Sequence, residues 1–243
     1  MGNKSHFFRQ SSGGGGDAFI ATFRTATDNE SITLPYVSNG TYSGTIDWGD
    51  GTIVENSYAN RTHIYSVAGD YDITVLGECT DFSYVRVNDT ERRKIINIKN
   101  WGTGIRFYTA SQFVSCSNLD ITAIDVPNLD GLLTFDRFFR NCFNLVFNES
   151  INNWDTHNIT DFFDTFQNAY LFNQPLNSWN TCNVRTLSLM FQNAHAFNQD
   201  ISSWNFSSLN SYSSLANFMS GKSDANYNSE YYDNLLIKWA SDP

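Results

Sequence analysis

Few side chains in this sequence are of types that do chemistry, and they are scattered. Four histidines (His6, His63, His157, His195) and four cysteines (Cys79, Cys116, Cys142, Cys182) stand in a chain of 243 residues. Asp47, Asp50 and His63 offer carboxylates and an imidazole, groups used by metal sites and by general acid–base catalysis. Asp47 and Asp50 also belong to "IDWGDGT", where Asp50-Gly51 reads as a tight turn after a strand, so all three are expected to serve the fold. His157 and His195 sit at different offsets in the repeat described below, so the repeat creates no catalytic pair. The sequence has no G-x-S-x-G elbow, phosphate loop, H-E-x-x-H helix or Gly-rich fingerprint. A non-enzymatic protein is expected, with no catalytic residue, no cofactor and no metal site. The cysteines lack C-x-x-C spacing. Cys116 and Cys142 share similar contexts, "SCSNL" and "NCFNL", and are expected to fill equivalent small buried positions, with a disulfide as the alternative.

The elements that would hold these groups fall into four stretches. Residues 1–16 end in "SSGGGG" and form a polar arm, flexible or docking, in which His6, Phe7, Phe8 and Arg9 are the candidate partner contacts. Residues 17–92 contain short alternating apolar runs, among them "AFIATFRT", "TYSGTIDW" and "YDITVLG". Turn clusters at Asn39-Gly40, Asp50-Gly51 and Ala68-Gly69-Asp70 separate them, which predicts a small β-sandwich. Residues 93–225 are governed by a period. The blocks starting at Trp154 and Trp179 agree at 11 of 25 positions, including "FQNA" and "FNQ". Looser copies lie on either side, about four to five units in all.

A unit of this length cannot bury its own apolar face, so a stacked solenoid is expected, with like residues forming columns. Val184, Leu187, Met190 and Phe191 recur at helical spacing and predict a helix near "VRTLSLMFQNA", with a strand near "LNSWN". Residues 226–243 predict a C-terminal capping helix with Tyr232, Leu235, Leu236 and Trp239 on one side. Residues that differ between copies are the candidates for ligand contact, Tyr170 and His195 first, because rings and polar edges can hold sugars.

Two resemblances follow from these motifs. "IDWGDGT" with "THIYSVAGDYDITV" resembles the PKD domain, an immunoglobulin-like sandwich, through Trp48, Gly49, Asp50, Gly51, His63, Tyr65, Gly69, Tyr71, Ile73, Thr74 and Val75. "W-[DN]-T-x-N-[IV]" and "FNQ[DP][IL]xSW" resemble the BspA-like leucine-rich surface repeats of mycoplasma lipoproteins, other bacterial surface proteins and some bacteriophage structural proteins. Together they imply a mixed α and β fold: a PKD-like sandwich, a leucine-rich-repeat-type solenoid of about 25-residue units, and a capping helix. They also imply a displayed module.

Net charge of −10 argues against nucleic acid as a partner, and no run is apolar enough for a membrane span. The N-terminus lacks the apolar centre of a secretory signal. The expectation is therefore a bacteriophage virion component, such as a capsid decoration, head fibre or tail-associated protein. It would be made in the host cytoplasm, homo-oligomeric and held by its arm to other virion proteins, with host-surface glycan or protein as a further partner. The alternative is a bacterial cell-surface adhesin or lipoprotein-type module.

Overall fold

Strand β1 (Phe19–Thr25) owes its place to alternation. Phe19, Ala21 and Phe23 are buried, and the strand lies in the interior of a six-stranded sheet. On one side it pairs antiparallel with β6 (Gly69–Leu76), from Phe19 opposite Val75 to Thr25 opposite Gly69. On the other it pairs antiparallel with β8 (Ile95–Asn100). Beyond β6 come β3 (Thr45–Asp47) and β4 (Ile53–Glu55), and beyond β8 comes β10 (Asp120–Ile121), which runs parallel to it. A separate antiparallel pair joins β2 (Glu30–Thr33) to β5 (Thr62–Tyr65), and a short parallel pair joins β7 (Cys79–Thr80) to β9 (Ile105–Arg106). The chain is mixed α and β, mostly β. The computed structural model describes residues 17–209 and 211–241, so His6, Phe7, Phe8 and Arg9 lie outside the described residues. The large sheet runs past residue 92 by taking in β8 and β10, and buried apolar side chains form one cluster from Phe19 to Leu235.

The turn at Trp48 to Thr52 shows why the first candidate cluster serves the fold. Gly49 has φ +77°, and a Cβ there would stand 2.6 Å from the Asp72 carbonyl oxygen. Its N–H donates to Asp47 Oδ1 at 2.9 Å, and the Thr52 N–H donates to Asp50 Oδ1 at 2.9 Å. Asp50 Oδ2 lies 2.7 Å from His63 Nε2, and the imidazole stacks on the Trp48 indole at 5.2 Å. Each of the three polar side chains is thus tied to the turn itself.

After β9 the chain coils, and successive coils stack. Amides at alternate residues donate to carbonyls one coil ahead: Phe135, Arg137, Phe139 and Asn141 to Asp161, Phe163, Thr165 and Gln167. In the next coil Phe162, Asp164, Phe166 and Asn168 donate to Thr186, Ser188, Met190 and Gln192. Within a coil, bonds of the kind Thr165 N–H to Phe162 C=O, Gln167 to Asp164 and Ala169 to Phe166 close linked turns. The expected helix near Val184–Ala194 is such a run of turns. Leu189 at φ +62° and Asn193 at +58° leave the right-handed region every fourth residue, as do Asp164 and Asn168 in the preceding coil. A helix cannot tolerate that interruption. Val184, Leu187, Met190 and Phe191 are nonetheless all buried, because three-residue turns place side chains inward at nearly helical spacing. Nor is Leu176–Asn180 a strand. The β-like contacts are single parallel bridges linking Thr134, Asp161 and Thr186.

The repeated letters are the stacking contacts. Trp179 and Trp204 donate their indole N–H to the Ile151 and Leu176 carbonyls of the coil before, each at 2.8 Å. Phe139, Phe166 and Phe191 stack at 5.7 Å per step. Thr156 Oγ1 accepts from the Asn180 N–H at 2.8 Å, and Thr181 Oγ1 repeats this with Asn205 at 2.7 Å. Asn141, Asn168 and Asn193 form an amide ladder, with Nδ2 to Oδ1 distances of 2.7 and 2.9 Å. Cys116, Cys142, Ala169 and Ala194 make one buried column of small residues, and the four cysteines are unpaired. Helix α2 (Ser229–Ser241) closes the described chain. It buries Leu235 and brings Trp239 to 6.3 Å from Phe206. Tyr232, Leu236 and Trp239, expected inward with Leu235, are substantially exposed, so the buried strip is narrower than the sequence suggests.

Candidate functional site

The turn that buries Cys142, Ala169 and Ala194 turns the following residue outward. These residues are Phe143, Tyr170 and His195, all three exposed. The amides of Cys142, Ala169 and Ala194 donate to the carbonyls three residues back, at 3.2, 3.0 and 3.0 Å, which fixes where each ring leaves the coil. Phe143 stacks on Tyr170 at 5.1 Å and 9°, and Tyr170 stacks on His195 at 5.4 Å and 20°. The Ala196 N–H donates to the Tyr170 carbonyl at 3.1 Å and ties the two coils beside the rings.

The structure therefore brings Tyr170 and His195 together and adds Phe143, which the sequence reading missed. A signal for it was present: each of the three follows an Asn-Cys or Asn-Ala pair, at 141–142, 168–169 and 193–194. The arrangement also decides what the column can do. The Tyr170 ring is covered on both faces by its neighbours, so it offers a rim and a hydroxyl, and no free face on which a sugar could lie. Leu171 and Val146, 49% and 43% exposed, widen this into a ribbon of ring edges and aliphatic carbon. Such a ribbon suits an extended partner surface rather than a small molecule held in a pocket. Below His195, Lys222 Nζ donates to the carbonyls of Ala194, His195 and Phe197, the last two at 3.0 and 2.6 Å, and so closes the ribbon at this end.

A charged cluster lies elsewhere on the coils. Asp164 Oδ2 receives Arg140 Nη1 at 3.3 Å and Arg137 Nε at 3.5 Å, while Arg137 Nη1 meets Asp136 Oδ2 at 3.1 Å. Burial raises the pKa of both acids, and the two guanidiniums oppose that rise. The cluster is one of compensated charge. His157 pairs with its neighbour Asp155 at 2.6 Å, well apart in role from the stacked His195. Among the described residues no group of three or more His, Cys, Asp or Glu side chains is placed to hold a metal ion. No helix among them is long and apolar enough to cross a membrane.

A family model described as "Mycoplasma protein of unknown function, DUF285" matches residues 107–230, which spans the stacked coils and the start of α2. No curated protein and no solved structure matches the chain.

Proposed function

We propose, from the premise that the chain belongs to this DUF285 family, that it is a non-enzymatic structural and binding protein displayed on a surface. In this reading the strands before residue 101 are a PKD-like sandwich. The stacked coils are a short BspA-like solenoid, and α2 covers part of its far end. Repeat units of this kind gain a flat recognition face from stacking, since whatever points outward in one unit points outward in all. The observation that carries the reading is the Phe143, Tyr170 and His195 column. Its outward rings vary in type from coil to coil, whereas the rings beneath them are phenylalanines at every step.

The family favours a bacterial cell surface as the setting. Display on a bacteriophage virion is the second setting, and what favours it is the polar, glycine-ended arm of residues 1–16, suited to docking on other virion proteins. Antibody against the protein would label intact bacterial cells in the first setting. In the second, mass spectrometry would find the chain in purified virions. Function itself is tested by binding of the labelled protein to intact cells. A Tyr170→Ala, His195→Ala double variant that keeps its circular dichroism should bind about tenfold more weakly, the consequence of losing roughly 1.4 kcal/mol of contact. Undiminished binding would remove the column as the recognition face.

A further inference from the structure

A second feature lies on the N-terminal sheets, away from the column. A cavity of about 600 Å³ opens between β2, the segment after it, and α1 (Asp89–Arg92). Two arginines line it. The Arg61 guanidinium lies over the Tyr58 ring at 3.7 Å from the centroid, and its Nη1 donates to the Tyr58 carbonyl at 2.9 Å. That fixes its plane and leaves Nε and Nη2 without a partner among the described residues. Arg86 makes no side-chain hydrogen bond or ion pair with them, and its side chain is exposed. One carboxylate, Glu91, stands in the wall: it accepts from the Thr33 N–H at 2.8 Å and from Lys94 Nζ at 2.6 Å, an ammonium that it shares with Glu30 at 3.2 Å. The cavity thus carries two guanidiniums that pair with no carboxylate among the described residues, in a molecule of net charge −10. The hydroxyls of Ser31, Thr33 and Ser38 and the amides of Asn39 and Asn88 form much of the remaining lining.

We infer that this cavity binds an acidic saccharide. Guanidinium forks match a carboxylate in shape and charge, and the hydroxyl and amide groups match a sugar's hydroxyls. The volume falls within the usual range for small-ligand sites. A bare inorganic anion would use the arginines and leave the polar wall idle. A long polyanion would meet the overall negative field of the protein. The site goes beyond the proposed display function and shares no residue with the ring column.

Isothermal titration of the full chain with 3′-sialyllactose, a glucuronate disaccharide, lactose and inorganic phosphate tests it. At least one of the two acidic sugars should give saturable binding, at least tenfold tighter than lactose and not displaced by equimolar phosphate. Arg86→Ala removes an exposed side chain that makes no hydrogen bond or ion pair among the described residues, and should weaken that binding tenfold or more. Tyr170→Ala should leave it unchanged, so loss of the column's function and loss of this site are separable. Three results overturn the inference: no binding of either acidic sugar, equal binding of lactose, or displacement by equimolar phosphate. Unaltered binding by Arg86→Ala overturns it too.

Discussion

Asn168 concentrates the demands that one coil makes on one residue. Its backbone is left-handed at φ +59°, its amide donates to Asn141 at 2.7 Å, and its carbonyl oxygen accepts from Asn193 at 2.9 Å. Asparagine meets all three because it tolerates that conformation and carries both a donor and an acceptor. Asn168→Gly keeps the backbone freedom and loses the ladder, so it should cost about 1 kcal/mol. Asn168→Ala loses both and should cost about 2 to 3 kcal/mol in urea unfolding. Equal losses would mean that the ladder, not the conformation, is what matters. Asp50 supplies a pH test. Burial pushes its carboxyl pKa up, but hydrogen bonds from His63 and the Thr52 amide outweigh this and hold it below the ordinary 3.8. A carboxyl lowered by folding contributes stability above its unfolded pKa and loses it as pH falls through the folded one. Asp50→Asn should therefore cost about 1 kcal/mol at pH 6, and the gap to wild type should close as acid titrates the carboxylate. A gap independent of pH would place the cost elsewhere in the turn. Among the thiols, Cys79, Cys116 and Cys142 are buried, with burial raising the pKa of each, and Cys182 is exposed. A thiol reagent should label one cysteine in the native protein and four after denaturation, since reactivity follows thiolate and access.

At the scale of the element, a buried column of rings joins each coil to the next beside the backbone bonds. Phe166 is fully buried, with Phe139 and Phe191 at 5.7 Å on either side and Phe172 at 4.1 Å. Phe166→Leu keeps much of the volume, whereas Phe166→Ala opens a cavity shared by three coils. The second should cost about 3 to 5 kcal/mol, read as a fall in the urea midpoint; a cost near 1 kcal/mol would mean that the coils close over the gap. This column was legible in the sequence, because stacking makes identical residues each other's neighbours and so writes itself as a period. The secondary structure within the unit was not. Three-residue turns and an α-helix both bring Val184, Leu187, Met190 and Phe191 to one side, and apolar spacing cannot separate them. The left-handed residues decide it, and only some announce themselves: Asn141, Asn168 and Asn193 are asparagines, but Arg137 and Leu189 are not. Phe143 escaped for a different reason. Attention to letters that differ between the two best copies picks out Tyr170 and His195, while the third ring sits in a unit with two extra residues in its loop.

Across the whole molecule the hydrogen-bond ladder has a direction. In its rows of alternate amides each coil donates to the one after it, while single bonds such as Ala196 N–H to the Tyr170 carbonyl run the other way. At the start the Gln112 carbonyl receives the Tyr84 N–H at 2.8 Å. Leu187, Leu189, Phe191 and Asn193 donate to Ser214, Ala216, Phe218 and Ser220. In that last coil the alternate amides of Asn217, Met219 and Gly221 have no hydrogen-bond partner among the described residues. Stacked units are stabilised chiefly through their neighbours, so a unit with one neighbour opens more readily than a unit with two. Hydrogen exchange followed by NMR should therefore show a gradient. The amides of Phe162, Asp164, Phe166 and Asn168, bonded forward and flanked by coils on both sides, should exchange slowest, and the amides of Asn217, Met219 and Gly221 fastest. The amides of Leu187 and Phe191 should fall between, because their acceptors belong to the coil that frays. Uniform protection along the stack would overturn this picture, and would mean that the last coil is covered in solution or that the coils open only together with the N-terminal sheet.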